Sequence, residues 1–266
     1  MMQVVMLAGG FAIAGCMAVL AEAEENSLSV NACRELEDIG ADTATASGYD
    51  LGGNLHWSIT GSELVITGTG SGDGLDYADK DWLDYAVAIK TAKVSVTDVA
   101  SMNSWFSGLS NLGSIDFSGT DTSNVTDMYG LFEGCEKLAS IDVSDFNTSR
   151  VTDMSNMFSG CSRLKSISLS GFDTSQVEKM DAMFYGCSSL TTLDLSSFST
   201  AKVCNMSDMF SDCSNLQSVN VKTFVTSNVT DMSGMFYSCM KLKAVDVASF
   251  QTDLVTNMAN MFYGCS

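Results

Sequence analysis

The feature that most constrains this chain is a period. The stretch Val151–Cys161, VTDMSNMFSGC, returns as VEKMDAMFYGC, VCNMSDMFSDC, VTDMSGMFYSC and VTNMANMFYGC, and the variant VTDMYGLFEGC precedes it. Phenylalanines at Phe132, Phe158, Phe184, Phe210, Phe236 and Phe262 keep a step of 26 residues with no insertion or deletion. Cysteines keep the same step at Cys135, Cys161, Cys187, Cys213, Cys239 and Cys265. Self-similarity at a fixed period of roughly 20–50 residues defines a solenoid, in which each unit buries its apolar face only against its neighbours.

The unit parses into two halves. Between Cys161 and Cys187, Leu164, Ile167 and Leu169 form an L-x-x-I-x-L segment that ends in period-two alternation and predicts a short strand. It recurs as Leu112/Ile115/Phe117, Leu138/Ile141/Val143, Leu190/Leu193/Leu195, Leu216/Val219/Val221 and Leu242/Val245/Val247. A polar F-x-T-S-x-V turn follows, carrying Phe146, Phe172, Phe198, Phe224 and Phe250, with Thr120 as the departure. Then Val151, Met154, Phe158 and Cys161 fall at steps of 3, 4 and 3, one face of a short helix. Ser149 or Thr152 fits its N-cap, Asp153 suits the positive end of its dipole, and Gly160 can close it.

The predicted fold class is a repeat solenoid, α/β and leucine-rich-repeat-like, with one short parallel strand and one short helix per 26-residue coil. The phenylalanine and cysteine rows form its interior ladder. Six stacked cysteines fit small apolar fillers. Inward thiols lying side by side give poor disulfide geometry.

A solenoid exposes core at its ends and requires a cap. Residues 49–98 fit a β-rich N-terminal cap. Leu55, Trp57, Ile59, Leu64 and Ile66 alternate with polar residues around Gly61-Ser62, a hairpin pattern. Trp82, Tyr85 and Ile89 predict a short helix within Asp76–Ile89, and Lys93–Val96 a strand leading into a degraded first repeat, Val99–Leu109. The solenoid spans 99–266 and stops directly after a repeat cysteine, which predicts truncation at the C-terminus. Upstream, Val4–Leu20 is a continuous apolar run, so 1–23 is expected to be an export signal. Two processing sites stand side by side: Ala21-Glu22-Ala23 for ordinary signal peptidase, and the lipobox-like Ile13-Ala14-Gly15-Cys16, with Cys16 the candidate for lipidation. Residues 24–48, acidic and then rich in Ser and Thr, read as a tether.

Chemistry finds little footing. A net charge of −19 excludes the clustered Lys and Arg that phosphate neutralisation needs, so no nucleic acid is expected. His56 is the single histidine and lies in the alternating hairpin. No nucleophile–base pair, phosphate loop or Cys–His metal spacing appears, so the expectation is a non-enzyme without cofactor or metal. The carboxylates between Asp73 and Asp81 lack EF-hand spacing and read as a solvated loop. Asp116, Asp142, Ser168, Asp194, Asn220 and Asp246 sit between the two apolar strand residues of successive units and point outward, a candidate ligand face.

The unit F-x-T-S-x-V-T-D-M-x-x-M-F-x-G-C-x-x-L, running from Val99 to Ser266, resembles the 26-residue subgroup of the BspA-like leucine-rich-repeat surface proteins. The segment Trp57–Ile59, Leu64–Gly70, Asp81-Trp82 and Ile89-Lys90 is similar to what precedes such repeats. The resemblance implies a protein at the cell surface or secreted, touching membrane only through its N-terminal signal or lipid anchor. It implies adhesion to a host or matrix protein or glycan of unknown identity, and it brings no catalytic residues. The alternative is a structural spacer that presents another domain away from the surface.

Overall fold

The computed structural model describes residues 45–49, 53–72 and 80–265. The expected signal, Cys16, the tether up to residue 44 and the carboxylates at 73–79 lie outside them.

Alternation builds the hairpin as its pattern demands. β2 (Gly53–Thr60) and β3 (Glu63–Gly70) pair antiparallel, with Trp57 opposite Ile66 and Ile59 opposite Leu64. Gly61 takes the positive φ of 62° that the tight turn requires. The five alternating apolar residues are all buried. β1 (Thr45–Tyr49) adds antiparallel to β2, β4 (Thr91–Thr97) parallel to β3, and β5 (Ser114–Asp116) parallel to β4. One five-stranded sheet thus passes from the hairpin into the first repeat strand. The helix expected within 76–89 is only a 3₁₀ turn, Asp81–Tyr85. It seats Trp82 between Trp57 and Trp105, at ring distances of 6.2 and 6.3 Å, and the Trp82 indole donates to the Trp105 carbonyl at 2.8 Å. All three tryptophans of the chain seal this junction.

The expected helix in each coil does not form. Two positions of every unit hold a left-handed backbone. The first comprises Ser104, Gly130, Asn156, Ala182, Asp208, Gly234 and Asn260; the second, four residues on, comprises Gly108, Gly134, Gly160, Gly186, Asp212, Ser238 and Gly264. A left-handed residue ends an α-helix, so the segment becomes a chain of tight turns. Its amides alternate. The N–H groups of Met157, Ser159 and Cys161 donate three residues back within the coil, at 3.3, 2.9 and 3.1 Å. Those of Met154, Asn156, Phe158 and Gly160 donate to Lys179, Asp181, Met183 and Tyr185 of the next coil, at 3.1, 2.9, 2.9 and 2.7 Å. A helix would keep every one of these donors inside itself and leave the coils joined by side chains alone. The assigned caps fail with the helix: Ser149 donates its amide to Asn147, and the Thr152 hydroxyl donates to the Thr126 carbonyl of the preceding coil. Gly160 closes no helix; it holds one of the turns, at φ 71°.

Steps of 3 and 4 still point the interior residues inward. Rings of Phe106, Phe132, Phe158, Phe184, Phe210, Phe236 and Phe262 stack at 5.3–5.9 Å. The cysteines run beside them as free thiols. Each donates S–H to the phenylalanine carbonyl of the preceding unit, from Cys135 to Phe106 at 3.2 Å through Cys265 to Phe236 at 3.1 Å.

Strand pairing in the L-x-x-L-x-L half is narrower than one strand per coil. It reaches strand geometry at β5 and at the parallel pair β6 (Thr192–Asp194) and β7 (Ser218–Asn220). The unbroken parallel ladder lies instead at the start of the turn segment, through Ser101, Asp127, Asp153, Lys179, Asn205, Asp231 and Asn257.

Candidate functional site

The predicted ligand row is where the pattern puts it. Asp116, Asp142, Ser168, Asp194, Asn220 and Asp246 are all exposed. Most of these side chains have a local task as well. Asp116, Asp142, Asp194 and Asp246 accept the backbone N–H two residues on, at 2.8–3.1 Å, and Asn220 does the same at 3.4 Å. They shape the turn that leaves the strand. The hydroxyls of Ser118 and Ser144, then their amides, hold Asp116 and Asp142 below the usual carboxylate range; for Asp194 the Ser196 amide leads. Cross-coil links are few: Asn220 to Asp194 at 3.4 Å, and an exposed Lys222–Asp246 ion pair at 3.6 Å. Each carboxylate therefore keeps one oxygen outside its turn bond.

The ladder residues are buried except at the last coil. Phe262 is 43% exposed and Cys265 half-buried, both in the last of the described coils. Burial pushes the interior thiols up, those of Cys161 and Cys239 to about 12, so they stay protonated and chemically quiet. His56 stands on the exposed side of β2, opposite Thr67.

Two features escaped the pattern analysis. The first is the threonine of the TS turn. Thr122, Thr148, Thr174, Thr200 and Thr226 are buried, not solvated. The Thr200 hydroxyl donates to the Val225 carbonyl at 2.9 Å and accepts the Val225 amide at 2.8 Å, clamping one residue of the next coil from both sides. Thr226 does the same to Gln251 at 2.9 and 2.7 Å. Threonine at the same place in every unit was the available signal.

The second is the outer face of the turn segment. Tyr129, Tyr185 and Tyr263 are 37%, 41% and 64% exposed on it, and Tyr237 stacks on Tyr263 at 5.3 Å. The same face carries Asp127, Glu133, Asp153, Asp181, Asp208, Asp212 and Asp231, against one base, Lys179, which pairs with Asp153 at 2.9 Å. At its N-terminal end Asn103, Ser104, Ser107, Gly108, Tyr129, Glu133 and Gly134 line an open concavity of about 570 Å³.

Fold and surfaces together define a leucine-rich-repeat solenoid whose interior is one repeated set of side chains and whose outer rows vary from coil to coil. The chain belongs to the family described as Mycoplasma protein of unknown function, DUF285, a repeat family of the BspA type, with matches over residues 86–192 and 158–266. Two solved structures are similar at low identity. A leucine-rich repeat protein from Eubacterium ventriosum ATCC 27560 is 15% identical, the alignment covering 84% of this chain and 95% of that one, with a TM-score of 0.26. A leucine rich cell surface protein from Faecalibacterium prausnitzii A2-165 is 14% identical, covering 80% of this chain and 55% of that one, with a TM-score of 0.29. No curated protein matches the chain.

Proposed function

We propose that this chain is an exported recognition module that binds a host or matrix protein or glycan through the exposed strand row. The observation that carries the proposal is the row itself: four carboxylates, one serine and one amide, all exposed, at one repeated position. Their backbones are set by the coil, so a partner meets polar groups already in place and loses little to their ordering. Family membership supports a repeat surface protein. Export and anchoring through 1–23, by cleavage near Ala23 or by lipid on Cys16, complete the proposal; palmitate label that persists in Cys16→Ser excludes that residue as the anchor.

The test replaces Asp142, Asp194 and Asp246 together by Asn. Asn220 already makes the same turn bond in the same row, so the fold is expected to survive. Solid-phase binding to immobilised matrix proteins, host glycans and epithelial cells should fall in this variant with unchanged circular dichroism. Equal binding by parent and variant would defeat the proposal and leave the spacer role, which the continuous inter-coil hydrogen bonds favour.

A further inference from the structure

The first coil of the turn face has the cap before it in place of another coil. In the second coil, alternate carbonyls accept amides of the coil before: Tyr129 from Ser104 at 2.8 Å, Leu131 from Phe106 at 3.0 Å and Glu133 from Gly108 at 2.7 Å. The first coil holds three matching carbonyls. That of Trp105 accepts the Trp82 indole at 2.8 Å. No backbone amide of a described residue donates to the other two, Asn103 and Ser107. A carbonyl without a protein donor is satisfied by water or by a ligand.

The concavity of about 570 Å³ is lined by these same two residues and their neighbours. Small-molecule sites span roughly 300–1,000 Å³. Part of its lining is bare backbone. Gly108 and Gly134 hold φ 76° and 70°, and a Cβ on Gly134 would lie 3.5 Å from the Cα and the nitrogen of Gly108. Oxygens from two coils converge beside it. Ser107 Oγ donates to Glu133 Oε2 at 3.3 Å, and Ser104 Oγ and Glu133 Oε2 each stand 3.2 Å from the point where Gly130 lacks a Cβ. Among the described residues no printed contact takes Glu133 Oε1, which leaves that oxygen for a ligand. Tyr129 adds a ring that is 37% exposed and is hydrogen-bonded to the Asn156 side chain of the next coil, which holds it in place.

We propose that this concavity is a saccharide site, in which a neutral pyranose unit sets its C–H face on the Tyr129 ring and its hydroxyls on Glu133 and the carbonyls of Asn103 and Ser107. A pyranose has an apolar face and a polar edge, which suits one exposed ring beside a set of fixed acceptors. The lining favours a neutral donor over a cation: Glu133 is its single carboxylate, among two serine hydroxyls and an asparagine. The site lies on the turn face, apart from the strand row, and does not rest on the ligand proposed for that row.

The probes are the methyl glycosides of mannose, galactose and N-acetylglucosamine, titrated against the whole chain and read by saturation-transfer NMR, with butylguanidinium as the cationic control. At least one glycoside should bind with Kd on the order of 1 mM, the weak end of specific recognition. The variants use the array's own alternatives. Tyr129→Ser copies Ser155 and Ser207, and Glu133→Ser copies Ser159. Each should weaken that glycoside about tenfold with unchanged circular dichroism, as the loss of a bond to a charged acceptor does. Tyr129→Phe keeps the ring and should stay within about threefold of the parent, and the strand-row triple Asp→Asn variant within about twofold. Competition by dextran would assign the sugar to a polysaccharide, and competition by oligomannose released from a glycoprotein to a protein-borne glycan; either supports the site. Transfer to none of the three glycosides overturns it, as does equal binding by parent and Tyr129→Ser. Transfer to butylguanidinium that Glu133→Ser abolishes, with the glycosides silent, would make the occupant a cation and overturn the saccharide assignment.

Discussion

Ala182→Gly separates a turn from a helix by the sign of one free-energy change. Ala182 is the one alanine among the first set of left-handed residues, at φ 52°, where Gly130 and Gly234 stand in other coils. An L-residue with a Cβ costs roughly 1–2 kcal/mol in that conformation. Glycine removes the cost but brings back about 0.5–1 kcal/mol of backbone entropy from the unfolded chain. The net expectation is a gain of about 0.5–1 kcal/mol, trimmed a little because the methyl is half-buried. Were residues 180–187 helical, the same substitution would cost about 1 kcal/mol, as glycine does in helix interiors. Urea denaturation followed by circular dichroism measures the difference. The midpoint should rise at unchanged slope. A midpoint lowered by the equivalent of about 1 kcal/mol would refute the turn geometry and restore the helix.

Three further outcomes are expected. Thr200→Val keeps the shape of the side chain but strips both bonds from the Val225 backbone, costing about 2–4 kcal/mol, whereas Thr200→Ser loses only a methyl, about 1 kcal/mol; a valine variant as stable as the serine one in chemical denaturation counts against the clamp. Phe184→Ala opens a hole between rings at 5.6 and 5.9 Å and should cost about 3–5 kcal/mol, and Cys187→Asp, which buries a carboxylate, several kcal/mol, without altering either outer face. Cys161 and Cys239 are raised by burial from 9.0 to about 12, so the stability they contribute is whole below about pH 9 and is lost as pH rises towards 12; the combined Cys161→Ala and Cys239→Ala variant should flatten that decline, and an identical decline in both proteins contradicts the linkage.

The period, the hairpin and the interior were legible because each rests on spacing alone. Leu55, Trp57, Ile59, Leu64 and Ile66 alternate, and no other arrangement buries all five. Val151, Met154, Phe158 and Cys161 are buried for the same kind of reason. What spacing could not decide was the backbone between them. Steps of 3 and 4 align side chains on a helix, but successive three-residue turns align them as well. Composition carried the distinction: Gly, Asn, Asp or Ser stands at nearly every one of the two left-handed positions, four residues apart, inside the supposed helix. Two such residues per eight are poor helix formers and good turn formers. Ala182 was the one residue of the first set that spoke for a helix. The threonine clamp was hidden differently. A hydroxyl in a polar TS turn looks solvated until the next coil is known to lie over it.

The turn segment also explains why function has to be sought in rows. An α-helical coil would satisfy its own amides and meet its neighbours through side chains, leaving their register to packing. Here alternate amides go to the next coil, and register is fixed by hydrogen bonds repeated at every step. The side chains that face out then add to a register that the backbone already sets. Substituting an interior ring costs several kcal/mol, while a surface change away from such contacts stays within about 0.5 kcal/mol. The position that reads Ser, Glu, Ser, Tyr, Ser, Tyr, Tyr varies in this way: its serines are buried, while its longer glutamate and tyrosines reach the surface over the same backbone turn. Specificity in such a molecule is written in departures from its repeat, and the step from buried Ser159 to exposed Tyr185 at one position is one of them.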